Sequence, residues 1–154
     1  MPEETTLEKI LASESLNETH LSPKVKENYD LESNVTYSPP PARLPAENYR
    51  SEGEREIAAY LEEKDIEFEY ERRLVVESEE GKLHIRYPDF YLKDLEIIIE
   101  YNGSTGKEHE ERYARKAELY EHNEVNYVTI TSEDMKTGVW KDKIDNAVLE
   151  HSNQ

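Results

Sequence analysis

Apolar residues recur with three different spacings in the second part of the chain, and each spacing predicts an element. In "SEGEREIAAYLEEK" the residues Ile57, Tyr60 and Leu61 follow helical spacing behind Ser51 at an N-cap position, which predicts a first helix. "IEFEYERRLVVE" alternates Ile66, Phe68 and Tyr70 with Glu67, Glu69 and Glu71, the period-2 pattern of a strand with one wet face. Gly81 then turns the chain. "LHIRYPDFYL" and "LEIIIEY" predict two further strands, joined at Lys93-Asp94 by a connection short enough to force a hairpin. The second of these is apolar on both faces, which places it centrally in a sheet. A helix over Lys107–His122 comes next, stopped by Asn123 in a left-handed conformation, followed by a strand in "VNYVTI". A last helix carries Trp140, Ile144, Ala147 and Val148 on one face. The order is α-β-β-β-α-β-α, an α/β domain over residues 51–150.

Residues 1–50 read differently. They are poor in apolar groups and contain "SPPPARLP", which can continue neither a helix nor a central strand. The expectation is an acidic, poorly structured tail or linker with one short helix in "TTLEKILAS". No internal repeat is visible.

Four polar side chains fall where the pattern asks for apolar ones. If Lys93-Asp94 is a two-residue turn, Leu92 faces Leu95, Asp89 lies opposite Ile98, and Glu100 is its diagonal neighbour on the same face. Such diagonals are about 7–8 Å apart, a gap that one divalent cation between the carboxylate tips can bridge. Pro88, with no N–H for a ladder, places Asp89 where the pairing begins. Glu54 shares the inward stripe of Ile57 and Leu61, and Lys116 lies in a stripe with Tyr113, Ala117 and Tyr120. Failures of patterning of this kind mark candidate sites.

Composition narrows the chemistry. With 154 residues the chain is long enough for one domain with a core. It has no cysteine, which removes disulfides and thiolate zinc sites and points to no oxidising compartment. The five histidines lack ligand spacing, so zinc is not expected. "YNGSTGK" lacks the spacing and ending of a phosphate-binding P-loop. No stretch reaches the ~18 apolar residues of a membrane span and no signal pattern opens the chain, so a soluble cytoplasmic protein without a membrane partner is expected. A net charge of −17 argues against non-specific nucleic-acid binding, although Arg72, Arg73 and Arg86 and the cluster Lys107, Arg112, Arg115 and Lys116 can form a local basic rim.

"PDFYL", "IIIEYNG" and "YARKAELY", preceded by "SEGEREIAAYL", together resemble the PD-(D/E)XK nuclease superfamily, and within it the small DNA endonucleases of the very short patch repair type. The resemblance spans roughly Ser51 to Asp134. It implies a restriction endonuclease-like α-β-β-β-α-β core and metal-dependent hydrolysis of DNA phosphodiesters, in a repair, recombination or restriction setting. It further implies that Asp89 and Glu100 are the acidic metal ligands, completed by Glu54 and the carbonyl of Tyr101, with Mg²⁺ or Mn²⁺ as cofactor. The motif's lysine position is Asn102. Lys116, followed four residues later by Tyr120, matches the place to which some relatives move that base. Gly103 is expected to admit the nucleic-acid backbone, Asn102, Tyr113 and Tyr120 to support the site, and Lys107, Arg112 and Arg115 to contact DNA.

Plainer readings stand beside these. Asp89 fits a strand-start turn residue, Glu100 the first exposed residue of a strand end, Glu54 a capping box with Ser51, and Lys116 a snorkelling side chain. Three functions therefore remain open: an active endonuclease, an inactive nuclease-fold binding module, and an acidic interaction protein that mimics nucleic acid. The partners they call for are DNA, a second copy in a homodimer, or a protein held through the N-terminal tail.

Overall fold

The computed structural model describes residues 3–13, 19–40 and 48–152. Within them the chain is a mixed α/β fold of two mixed sheets and six helices. In the first part run β1 (Glu3–Thr6), α1 (Leu7–Ser13), β2 (Thr19–Leu21), α2 (Pro23–Asn28) and β3 (Asn34–Ser38). After residues 41–47, outside the described residues, come α3 (Glu52–Glu63), β4 (Glu69–Tyr70), β5 (Arg73–Glu77), β6 (Lys82–Arg86), β7 (Phe90–Leu92) and β8 (Ile97–Asn102). The chain ends with α4 (Lys107–His122), β9 (Asn126–Thr131), α5 (Ser132–Thr137) and α6 (Val139–Ser152).

One sheet has the order β1-β3-β6-β5-β2 and the other β4-β7-β8-β9. Three packed clusters account for the layers. Helices α3 and α6 cover one face of the four-stranded sheet, where Ile57, Leu61, Trp140 and Ile144 meet Phe90, Ile97 and Ile99. Its other face presents Tyr91 and Ile98 to Tyr120 of α4 and to Leu74 and Val76 of β5. Helices α1 and α2 cover the far side of the five-stranded sheet through Leu7, Ile10, Leu11 and Val25 against Val75, Leu83 and Ile85. Burial of such side chains is the main favourable term, about 1.5–3 kcal/mol for each fully buried Leu, Ile or Val.

This overturns the expectation of an unstructured tail. The described part of residues 1–50 supplies three strands and two helices, and the proline run lies largely in 41–47, outside the described residues. The short helix in "TTLEKILAS" is present as α1, preceded by the edge strand β1. A buried polar knot ties this segment to the rest: Asn123 Oδ1 accepts from Ser22 Oγ at 2.9 Å and from the Glu77 amide at 2.7 Å, and its Nδ2 donates to the carbonyls of Glu77 and Leu119, both at 2.8 Å.

Two expected strands are each split between the sheets. At Glu71 the backbone enters the left-handed region with φ 53°, so Ile66, Phe68 and Tyr70 pack on the first cluster while β5 crosses to the other sheet. At Tyr87-Pro88 the ladder stops for lack of a donor, β6 stays with β5, and β7 begins at Phe90 in the four-stranded sheet. Strand β8 is central, between β7 and β9, as its two-sided apolar character requires. Helix α4 has the expected limits, but its stop differs: Asn123 has φ −90°, and Glu124 takes the left-handed conformation with φ 60°.

The β7–β8 connection also needs correction. Leu92 pairs with Ile97, Tyr91 with Ile98 and Phe90 with Ile99, so the loop holds four residues, with Leu95 N–H bonded to Leu92 O at 3.1 Å and Glu96 left-handed at φ 53°. A shift of two residues preserves which face each side chain takes. Asp89 therefore stands level with Glu100, where a two-residue turn would make them diagonal.

Candidate functional site

Asp89 and Glu100 converge on one face at the mouth of the hairpin. The Asp89 amide donates to Glu100 Oε2 at 3.4 Å, and the Tyr101 amide donates to Asp89 Oδ2 at 2.7 Å. Glu100 is 3 % exposed, and its other oxygen accepts a short hydrogen bond from the buried hydroxyl of Tyr120. Burial pushes the Asp89 carboxyl up to about 8, reinforced by the charge of Glu100 and by a hydrogen bond between the two groups; Lys116 pulls the other way. Burial and the neighbouring carboxylate thus favour the protonated form of Asp89, and a bound cation would act against that.

Glu54 approaches from α3. Its amide is capped by Ser51 Oγ at 3.1 Å, and its carboxylate accepts from the same hydroxyl at 3.0 Å and from Tyr70 Oη, also at 3.0 Å. Capping and inward aim thus coexist in one residue. Burial and the charge of Asp89 raise its pKa, while the bonds from Ser51 and Tyr70 act against the rise.

Sequence reasoning missed Glu71. The alternating pattern assigned it to the wet face of a strand, yet its amide bonds to Asp89 O at 3.1 Å, and carboxylate oxygens of Glu54, Glu71 and Asp89 all lie within 4.8 Å of one another. The left-handed turn that swings it inward occurs at a glutamate, a residue type that gives no warning of it. Arg50 Nε donates to Glu71 Oε2 at 2.7 Å, and this bond, followed by the Glu71 charge, raises the guanidinium pKa.

Lys116 lies where its stripe aims it, with Nζ 3.8 Å from Glu100 Oε1. It lines a narrow crevice with Glu100, Asn102, Tyr113 and Tyr120, so the amide at the motif's lysine position and the cation on α4 face the same space. Tyr120 is core and site at once. Tyr113 Oη accepts from the Ser104 amide at 3.2 Å and so holds the loop between β8 and α4.

Tyr101 joins the site through its N–H, and its ring lies against two glycines. A Cβ on Gly53 would fall 2.4 Å from the ring and one on Gly103 2.5 Å from it. The close approach that Gly103 permits is made here by the Tyr101 ring. Lys107, Arg112 and Arg115 are exposed on α4, and Arg112 also bonds to the ring of His109 and lies 5.9 Å from the centre of the Tyr113 ring.

Comparison with family models, with curated proteins and with solved structures returned no match. Among the described residues no helix is long and apolar enough to cross a membrane.

Proposed function

We propose that this chain is a metal-dependent DNA endonuclease of the PD-(D/E)XK kind, with a restriction endonuclease-like core built from α3, the β7–β8 hairpin, α4 and β9. The observation that carries this reading is Asp89 meeting Glu100 on one side and the Glu54 and Glu71 carboxylates on the other, with a lysine ammonium beside Glu100. The donor set is all oxygen and strongly anionic, which fits Mg²⁺ or Mn²⁺. The raised proton affinity of Asp89 points the same way, because burial first and the charge of Glu100 second disfavour its ionised form, and a bound cation would offset both.

Glu54, Glu71 and Asp89, whose carboxylate oxygens lie within 4.8 Å of one another, would hold the ion, with Glu100 beside Asp89 as the fourth acid of the cluster. Such an ion, when bound, acidifies a water molecule and offsets charge on the scissile phosphate. The protein's own groups do the rest. Tyr120 orients the Glu100 carboxylate through its hydroxyl, and the Tyr101 amide orients that of Asp89. Lys116 places a positive charge at the edge of the cluster, suited to stabilising negative charge that develops on the phosphate. Lys107, Arg112 and Arg115 share its helix and offer contacts to the DNA backbone.

Asn102 in place of lysine favours a second reading, a nuclease-fold module that binds DNA without cutting it. One set of assays separates the two: the full chain on supercoiled, mismatched, branched and single-stranded DNA with Mg²⁺, Mn²⁺ or EDTA, beside Asp89→Asn and Glu100→Gln. Cleavage is expected with metal and is lost in EDTA and in both variants. DNA retention without cleavage assigns the binding module, and undiminished cleavage in both variants overturns the assigned site.

A further inference from the structure

We propose that Arg50 is a built-in counter-cation of the carboxylate cluster, one that competes with a divalent ion for Glu71 and so sets the metal affinity of the site. This rests on the metal-dependent reading above and adds a means of regulating it.

Arg50 is tied to the cluster at both ends. Its main-chain N–H donates to Tyr70 Oη at 3.1 Å, the same hydroxyl that donates to Glu54 Oε2, and its side chain donates to Glu71 Oε2. It also immediately precedes Ser51, the cap of the helix that carries Glu54. Glu71 is therefore one hydrogen bond from this residue and Glu54 two, through Tyr70.

The pair is asymmetric in exposure. The Glu71 side chain is 8 % exposed and the Arg50 side chain 47 %. The buried carboxylate needs a positive partner, whereas the guanidinium can return to water at small cost. Arginine keeps its charge at any working pH, so the bond to Glu71 stays charge-assisted throughout that range. A divalent ion among Glu54, Glu71 and Asp89 supplies the positive charge that Glu71 requires and repels the guanidinium beside it. Occupancy by one disfavours the other.

The test is direct Mn²⁺ binding to the full chain at low salt without DNA, read from the electron paramagnetic resonance signal of free Mn²⁺. Arg50→Met is expected to bind Mn²⁺ about fivefold tighter than the parent, the scale of one partly exposed ion pair. Arg50→Gln, which retains a donor for Glu71, serves as a second uncharged variant. Glu71→Gln should bind more weakly, and in its presence the gain from Arg50→Met should shrink below about twofold, because the competition acts through that carboxylate. If Mn²⁺ binds saturably and Asp89→Asn abolishes it, but both Arg50 variants show parental or weaker affinity, the competition is overturned and the metal reading stands. An absence of saturable binding in the parent and in both Arg50 variants overturns the two together.

Discussion

Asp89 and Glu100 face each other across the β7–β8 hairpin, joined by the Asp89 amide at 3.4 Å from Glu100 Oε2. Two acids at that place burden the fold, because replacing buried, repelling charges with neutral groups commonly stabilises a protein.

The pH dependence of stability should show it. The Asp89 carboxyl lies at about 8 in the fold against an ordinary value of 3.8, so between those limits the folded chain holds a proton that the unfolded chain has released. Stability is then fully present at acid pH and falls as pH rises, by up to about 1.4 kcal/mol per pH unit from this one group. Chemical denaturation in EDTA from pH 5 to 8 should record the decline, and Asp89→Asn should flatten it. Equal slopes in variant and parent would contradict the assignment.

Lys116→Met keeps most of the stem's contact with its neighbours and removes the charge next to Glu100. Cleavage is expected to fall at least about a hundredfold, the loss seen when one group that stabilises the transition state is removed, with Mn²⁺ binding retained. Parental cleavage rates would exclude Lys116 as the relocated base.

A fragment covering residues 51–154 should not fold as the parent does. It strips three strands and two helices from the five-stranded sheet, leaving β5 and β6 as a two-stranded ribbon with Val75, Leu83 and Ile85 open to water. We expect thermal unfolding lowered by more than about 10 °C or no cooperative transition at all. A fragment melting with the parent would restore the view of residues 1–50 as a dispensable tail.

Asn123→Ala removes the centre of the buried knot that joins Ser22, Glu77 and Leu119. Leaving several of these partners unsatisfied should cost about 3 kcal/mol or more, measured by denaturant unfolding. A loss below about 1 kcal/mol would mean that the surrounding groups find replacement bonds.

What could be read from the sequence was local and periodic. Helix α4 spans the expected Lys107–His122, because its tyrosine stripe is written within one segment, although Glu124 and not Asn123 takes the left-handed step after it. The shared face of Asp89 and Glu100 survived a wrong loop length, since an even shift keeps parity. Residues 1–50 escaped because Leu7, Ile10, Leu11, Val25, Val35 and Tyr37 are spread over elements of five to seven residues, too short for a period to show. Their burial comes from partners some forty or more positions away, such as Val75 and Leu83. Glu71 escaped for a different reason: a single left-handed backbone step reverses its side, and glutamate does not advertise that step.

The Tyr101 ring, flanked by Gly53 and Gly103, works as a shim of fixed thickness between the end of β8 and the first turn of α3. The helix turn it spaces is the one that carries Glu54, so the gap between that carboxylate and the hairpin acids is gauged by a phenol ring. Even one added methyl group on either glycine would displace the ring, and a smaller residue at 101 would let the turn settle inward. The spacing of the Glu54 turn from the hairpin thus depends on the volume at three positions, Gly53, Tyr101 and Gly103, as well as on the acids themselves.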